Sequence, residues 1–239
     1  ADLVVLAAPV DTCVELLATA ASETSQTCVV TDVCSVKLPL CERAAQVCIE
    51  ARFVGAHPMA GSHRSGAAGA DPDLFRDRVT VVVESGRAQH DAHVLVTALW
   101  RAVGSSVLEI GAEAHDRVTA MTSHLPQMVV FALAAAVGRS PEQGLVRALT
   151  GPGLRDTTRL AASEHAMWTS IARANRMSLL VAFDTFSEAW TELRAAVAAG
   201  DEAAMMRVMG AARDARAAME ADTSGGEAQQ PGNREGGES

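Results

Sequence analysis

A single lysine, Lys37, serves the whole 239-residue chain, and its 20 basic residues are outnumbered by 29 acidic ones, for a formal net charge of −9. Nucleic-acid binders concentrate Lys and Arg, so this shortage of positive charge argues against DNA and RNA as partners. Long apolar runs are also missing. The longest, MVVFALAAAV from Met128 to Val137, falls short of the roughly 20 apolar residues a bilayer demands; it reads as a buried helix, and no membrane is expected. Cys-x-x-Cys does not occur. The five cysteines, at 13, 28, 34, 41 and 48, are odd in number and confined to one region, which speaks against a disulfide framework and fits a reducing, cytoplasmic setting. Cys34, Cys41 and Cys48, spaced by sevens, read as small apolar residues along a helix. Neither His-Glu-x-x-His nor a Cys/His ligand spacing is present, so no metal is expected. The glycine fingerprint G-x-G-x-x-G is absent too. The chain opens directly on a strand, Asp2-Leu-Val-Val-Leu, with no initiating methionine, as though it began inside a domain.

What is present is a chain 49% hydrophobic and 21% charged, enough for one good core or two modest ones. Segments 2–7, 27–33, 51–57, 79–84 and 106–110 are short and valine-rich, and amphipathic stretches such as Val10 to Ala21 and Val36 to Glu50 separate them. This β-α-β alternation predicts a parallel sheet covered by helices over residues 1–110. From Gly111 the strands stop. Helical periodicity then runs to the end of an all-helical domain, 111–221, broken by Pro126, by Gly138 to Pro141 and by the GPG at 151–153. The last stretch, 222–239, has no apolar anchor and is expected to be disordered.

His57, in FVGAHPMAGSH (53–63), is the first chemical candidate. It sits at the carboxyl end of a strand, where open α/β sheets bind ligands, although a structural histidine is the commoner occupant of such a place. Pro58 fixes the backbone after it, and Ala60 and Gly61 leave room for close approach. Ser35, in TDVCSVK, follows another strand and reads either as a helix N-cap or as a hydroxyl in the same crevice. Asp116, Ser123 and Gln127, spaced 7 and 4 apart in HDRVTAMTSHLPQ, share a helix face that Pro126 should bend; the stripe is a solvated face or the lining of a cleft. Arg155 and Arg159 follow the glycine-rich turn, available for a carboxylate or for surface pairs with Asp156 or Glu164.

In this order and at these spacings, TDVCSVK, FVGAHPMAGSHRSG, HDRVTAMTSHLPQ, DTTRLA and AMWTSIARAN resemble the prephenate and arogenate dehydrogenases of tyrosine biosynthesis. The resemblance implies an incomplete Rossmann-type NAD(P)-binding domain followed by a helical domain that binds substrate and forms a homodimer. It implies NAD- or NADP-dependent oxidative decarboxylation of prephenate to 4-hydroxyphenylpyruvate, or of arogenate to tyrosine. On it, His57 matches the catalytic histidine that takes the proton of the ring hydroxyl, and Ser35 the serine that holds this hydroxyl and the nicotinamide in register. Arg159 resembles the arginine that binds the substrate carboxylate; Ser123, Gln127 and Trp168 line the pocket; Ala8 and Pro9 resemble the loop whose backbone passes the cofactor.

The chain departs from the pattern where many relatives have glycine in place of Cys34, where many prephenate-specific ones have a second histidine at Gln127, and where some carry an acidic residue at His63. The glycine-rich turn is expected upstream of Asp2, so the chain resembles an N-terminally truncated enzyme that by itself binds NAD(P) poorly. A β-hydroxyacid dehydrogenase has a similar layout but relies on a lysine in its helical half, whereas Lys37 lies in the α/β half. A non-catalytic dimerising fragment is the other reading.

Overall fold

A computed structural model describes residues 1–61, 69–84 and 90–221; His63 and the tail 222–239 lie outside the described residues. The first strand, β1 (Leu3–Leu6), leads into α1 (Val10–Glu23), whose buried Val10, Cys13, Leu17 and Ala20 recur at three- and four-residue steps and form the stripe that packs inward. At the far end of α1 the buried Arg52 guanidinium donates to Ala20 O and Ala21 O, both at 3.4 Å, to Cys28 O at 3.0 Å and to Thr24 Oγ1 at 2.7 Å, a cation seated on a helix C-terminus. β2 (Val29–Asp32) is buried at every position, as a strand covered on both faces must be. α2 (Leu38–Gln46) carries Pro39 in its first turn, where a missing N–H costs nothing. Of the three cysteines spaced by sevens only Cys41 lies in this helix. Cys34 precedes it, in a loop pinned by hydrogen bonds, and Cys48 follows it with a left-handed φ of 60°, so the expectation of a shared helix fails.

The segment 51–57 is two strands rather than one. β3 (Phe53–Val54) continues the parallel sheet, with Phe53 opposite Val30. β4 (Ala56–Pro58) pairs antiparallel with β5 (Val79–Val83), with His57 opposite Val81. Between them Gly55 O accepts a 2.8 Å hydrogen bond from the Val83 N–H. α3 (His90–Ala102) then leads to β6 (Ser106–Ile110), parallel to β5. The expected all-parallel sheet is therefore corrected: β1–β2–β3 is parallel and β4–β5–β6 is mixed. A parallel return needs a helical crossover, and among the described residues no α-helix lies between β4 and β5. Alternating valines cross the sheet: Val30 and Phe53 face the core under α1 and α2, while Val29 and Val54 face the one under α3 with Val96 and Trp100.

The rest is helical. α4 (Ala112–Thr119) passes through a π segment (Ala120–His124) into α5 (Leu125–Gly138), followed by α6 (Gln143–Leu149), α7 (Pro152–Thr158) and a 3-10 turn (Arg159–Ala162). α8 (His165–Ala174), α9 (Arg176–Ala199) and α10 (Glu202–Ala221) complete it. Glu164 caps α8, its carboxylate accepting the N–H groups of Ala166 at 3.0 Å and Met167 at 2.7 Å. α8 packs on α1: Ile171 and Trp168 join the α1 core, and Asp11 accepts Ser170 Oγ and Arg173 Nη2, each at 2.6 Å. By internal contacts the chain forms two compact units, Ala1–Phe183 and Asp184–Ser239, dividing within α9.

The run from Met128 to Val137 is part of a longer helix than its sequence suggests. Ala112–Gly138 is continuous and, by length and composition alone, apolar enough to cross a bilayer. Yet its buried His115, Asp116, His124 and Gln127 are each hydrogen-bonded to another element. The expectation of a buried helix is nonetheless corrected: of Met128 to Val137 only Val130 is buried, and it is these polar contacts that tie the helix to its neighbours.

Candidate active site

Two loops leave the carboxyl ends of β1 and β2 close together. After β1 comes Ala8, whose carbonyl accepts the thiols of Cys13 at 3.2 Å and Cys34 at 3.6 Å; Pro9 then precedes α1. After β2 comes Ser35, half-buried between Cys34 and Lys37. It is not the N-cap of α2: that helix starts at Leu38 with Lys37 in the capping place. The thiols here are not nucleophiles. Burial, then the Asp32 charge, pushes Cys34 far above its ordinary range, and burial pushes Cys41 up to about 12.

His57 lies inside β4, not in a turn beyond a strand end, because the chain runs on past Gly55 into pairing with β5. Its Nδ1 is 2.8 Å from His115 Nε2, and His115 Nδ1 is 2.7 Å from Asp116 Oδ1. Asp116 in turn accepts the backbone N–H groups of Lys37 on Oδ1 and of Leu38 on Oδ2, both at 2.8 Å. An acceptor carboxylate dictates the tautomers along this line. His115 carries its proton on Nδ1 and offers a lone pair from Nε2; His57 therefore carries its proton on Nδ1, and its Nε2 is the basic atom. Burial first, then His115, Lys37 and His124, lowers the His57 pKa from 6.5 to about 2, so the imidazole is neutral.

The π segment sets the helical side of the site. One residue is inserted just before Pro126, which has no N–H to continue the α pattern. The insertion turns His124 inward, where it is fully buried with its Nδ1 3.2 Å from Asn175 Nδ2. The same Asn175 amide donates to Asp116 O at 2.7 Å. Trp168 stands edge-on to His124, ring centroids 6.2 Å apart. Burial, partly offset by Asp116 and reinforced by His115, lowers the His124 pKa to about 4.

Of the residues anticipated from sequence, His57 and Trp168 thus join one polar cluster, with Asp116 behind them. Gln127 is buried and its Nε2 donates to Leu160 O at 2.7 Å, which seats the 3-10 turn of Arg159 against α5. Arg159 itself is exposed, and Ser123 is half-buried in the π segment. The residues that sequence reading missed are His115, Asn175 and Asp32, together with the part played by Lys37. The His115-Asp116 pair had a signal, since both sit in the same HDRVTAMTSHLPQ motif as the named residues; Asn175 had none that spacing could reveal.

Two family models match the chain, the prephenate dehydrogenase nucleotide-binding domain over residues 1–109 and the prephenate dehydrogenase dimerization domain over residues 111–211. Prephenate dehydrogenase of Lactococcus lactis is 30% identical over 92% of this chain and 61% of its own length, and that of Bacillus subtilis 33% identical over 90% and 59%. The chain thus spans about 60% of the length of these curated relatives. The crystal structure of prephenate dehydrogenase from Aquifex aeolicus in complex with hydroxyphenyl propionate and NAD+ superposes with a TM-score of 0.85 at 28% identity, over 91% of this chain and 76% of that one. With the matched models running from the first strand into α10, the chain belongs to the prephenate dehydrogenase family.

Proposed function

We propose that the chain carries the catalytic centre of an NAD(P)-dependent dehydrogenase that converts prephenate to 4-hydroxyphenylpyruvate. The observation that supports this most directly is the line Asp116–His115–His57, which leaves a neutral imidazole with its lone pair on Nε2. Hydride loss from the carbinol carbon makes the attached hydroxyl strongly acidic, so even this weakly basic lone pair can draw its proton. As the proton arrives, the imidazolium formed at His57 is stabilised through His115 by the Asp116 carboxylate, which keeps both rings in register.

The residues present fit the nicotinamide end of a dinucleotide. Ala8 and Ser35 are small, and the hydrogen bond from Cys34 to Ala8 O brings the loops after β1 and β2 together. The bound cofactor would accept the hydride from the carbinol carbon. Aromatisation of the ring then drives loss of the ring carboxylate as carbon dioxide, and the phenolate left behind takes its proton back from His57, so the protein's main work is orientation. Ser35 is assigned to hold the hydroxyl, Arg159 to grip the substrate carboxylate, and Ser123, Gln127 and Trp168 to line the pocket. His124 Nε2 and Trp168 Nε1, buried and without a hydrogen-bond partner among the described residues, support a polar guest on that side.

Residues 1–110 form the nucleotide-binding part in this reading and 111–221 the substrate-binding and dimerising part, in a cytoplasmic homodimer. Arogenate would react by the same steps. Gln127, with its amide committed to Leu160 O, brings no charge to tell the two side chains apart. Reduction of NAD+ and NADP+, each raised until the rate saturates to offset the weak cofactor binding expected of this chain, is to be followed with prephenate and arogenate side by side; turnover of neither leaves the non-catalytic reading. His57→Asn is expected to cost about 10³-fold in kcat with the circular dichroism spectrum unchanged, and a rate near wild type removes His57 from its role.

A further inference from the structure

Lys37 and Asp32 have no exposed side-chain surface and form an ion pair. Lys37 Nζ also donates to Ala56 O at 2.7 Å, while Asp32 Oδ1 accepts the Ala56 N–H at 3.2 Å and Asp32 Oδ2 the Cys34 N–H at 2.9 Å. One ion pair therefore holds both the N–H and the carbonyl of the residue immediately before His57. The backbone N–H of Lys37 is bonded to Asp116 Oδ1, the same oxygen that orients His115. So a single residue touches the strand that carries the base through its side chain, and the acid behind the second imidazole through its main chain.

A buried ion pair is a poor source of stability, since an apolar pair of similar volume commonly does as well. Nor can this lysine reach a substrate: it is enclosed and committed to two acceptors. Geometry is what remains for it to supply. Resting on the reaction proposed above, we propose that Lys37 and Asp32 are positioning residues, clamping the Ala56 peptide so that His57 Nδ1 stays on His115 and Nε2 stays aimed at the substrate hydroxyl. The close fit of Gly55 agrees, because a Cβ there would lie 3.4 Å from Lys37 Cδ and 3.5 Å from Asp32 Oδ1. Charge acts in the same direction: after burial and His115, Lys37 is the next influence opposing a proton on His57, followed by His124. The charged or titratable groups around that imidazole are thus Asp32 from β2, Lys37 ahead of α2, His115 and Asp116 from α4 and His124 from the π segment.

Removing one partner alone strands a buried charge and invites misfolding, so the test uses the double variant Asp32→Leu/Lys37→Met beside Lys37→Arg. The double variant is expected to melt cooperatively and to keep KM within about threefold. It should lose about 10²-fold in kcat, the scale of loss that a small misplacement of a reacting group produces. Lys37→Arg, which keeps the charge and one donor to Ala56 O, should recover part of that loss. Nitrogen-15 spectra of the histidines give a readout independent of turnover: one neutral His57 tautomer, protonated on Nδ1, in the wild type, and a mixture of tautomers in the double variant. Wild-type kcat together with a single tautomer in the double variant overturns the proposal. A wild type that turns over neither substrate refutes the reaction instead, and the tautomer comparison still decides on the clamp.

Discussion

His57 and His124 are both neutral in the fold and ordinary imidazoles in the unfolded chain, which makes stability depend on acid. Below about pH 6.5 the unfolded chain takes up protons at these two positions, while the folded protein takes them up only near about 4 at His124 and about 2 at His57. The unfolded state thus binds more protons in that window, so stability is full above it and falls as the pH drops through it. Each histidine should contribute a slope of about 1.4 kcal/mol per pH unit. Urea melts at pH 7, 6 and 5 are expected to lose stability steadily, and His57→Asn to lose it less steeply; a flat series would mean that both imidazoles are charged in the fold. At this scale the sequence disclosed His57 because a histidine beside a strand and a proline stands out. For His115 the only signal was its place in HDRVTAMTSHLPQ; its burial and its pairing across 58 residues leave no mark in the local pattern.

At the scale of elements, the valine-rich strands and the stripe of α1 were legible because they depend on periodicity alone. Strand direction was not. Nothing in ARFVGAH announces that the chain leaves a parallel ladder and enters an antiparallel one within two residues; that follows from where Val83 and Gly55 meet. The glycine there is required by close approach rather than by dihedral freedom. Gly55→Ala places a methyl 3.2 Å from Val83 Cγ2 and 3.4 Å from Lys37 Cδ. It should destabilise the protein by about 1–2 kcal/mol and lower kcat more than it raises KM. Denaturant titration and steady-state kinetics check the two halves of that expectation. The π segment was equally hidden: Pro126 suggested a bend, whereas the inserted residue that turns His124 inward is a response to tertiary packing against Asn175 and Trp168.

For the whole molecule, the second compact unit leaves Trp190 57% exposed, Met206 75% and Met209 56%. Large apolar side chains at this density call for a cover. Together with the match to a dimerization-domain model, they lead to the expectation that sedimentation equilibrium will give twice the 24.9 kDa chain mass; a monomer throughout the micromolar range would count against it.

The imidazole on β4 and the carboxylate on α4 belong to different elements, joined directly through His115 and at one remove through Lys37. In the proposed reaction, proton abstraction depends on strand and helix staying seated against each other. On that reading, any separation of the two elements would uncouple the rings and leave His57 without the acid that steadies it.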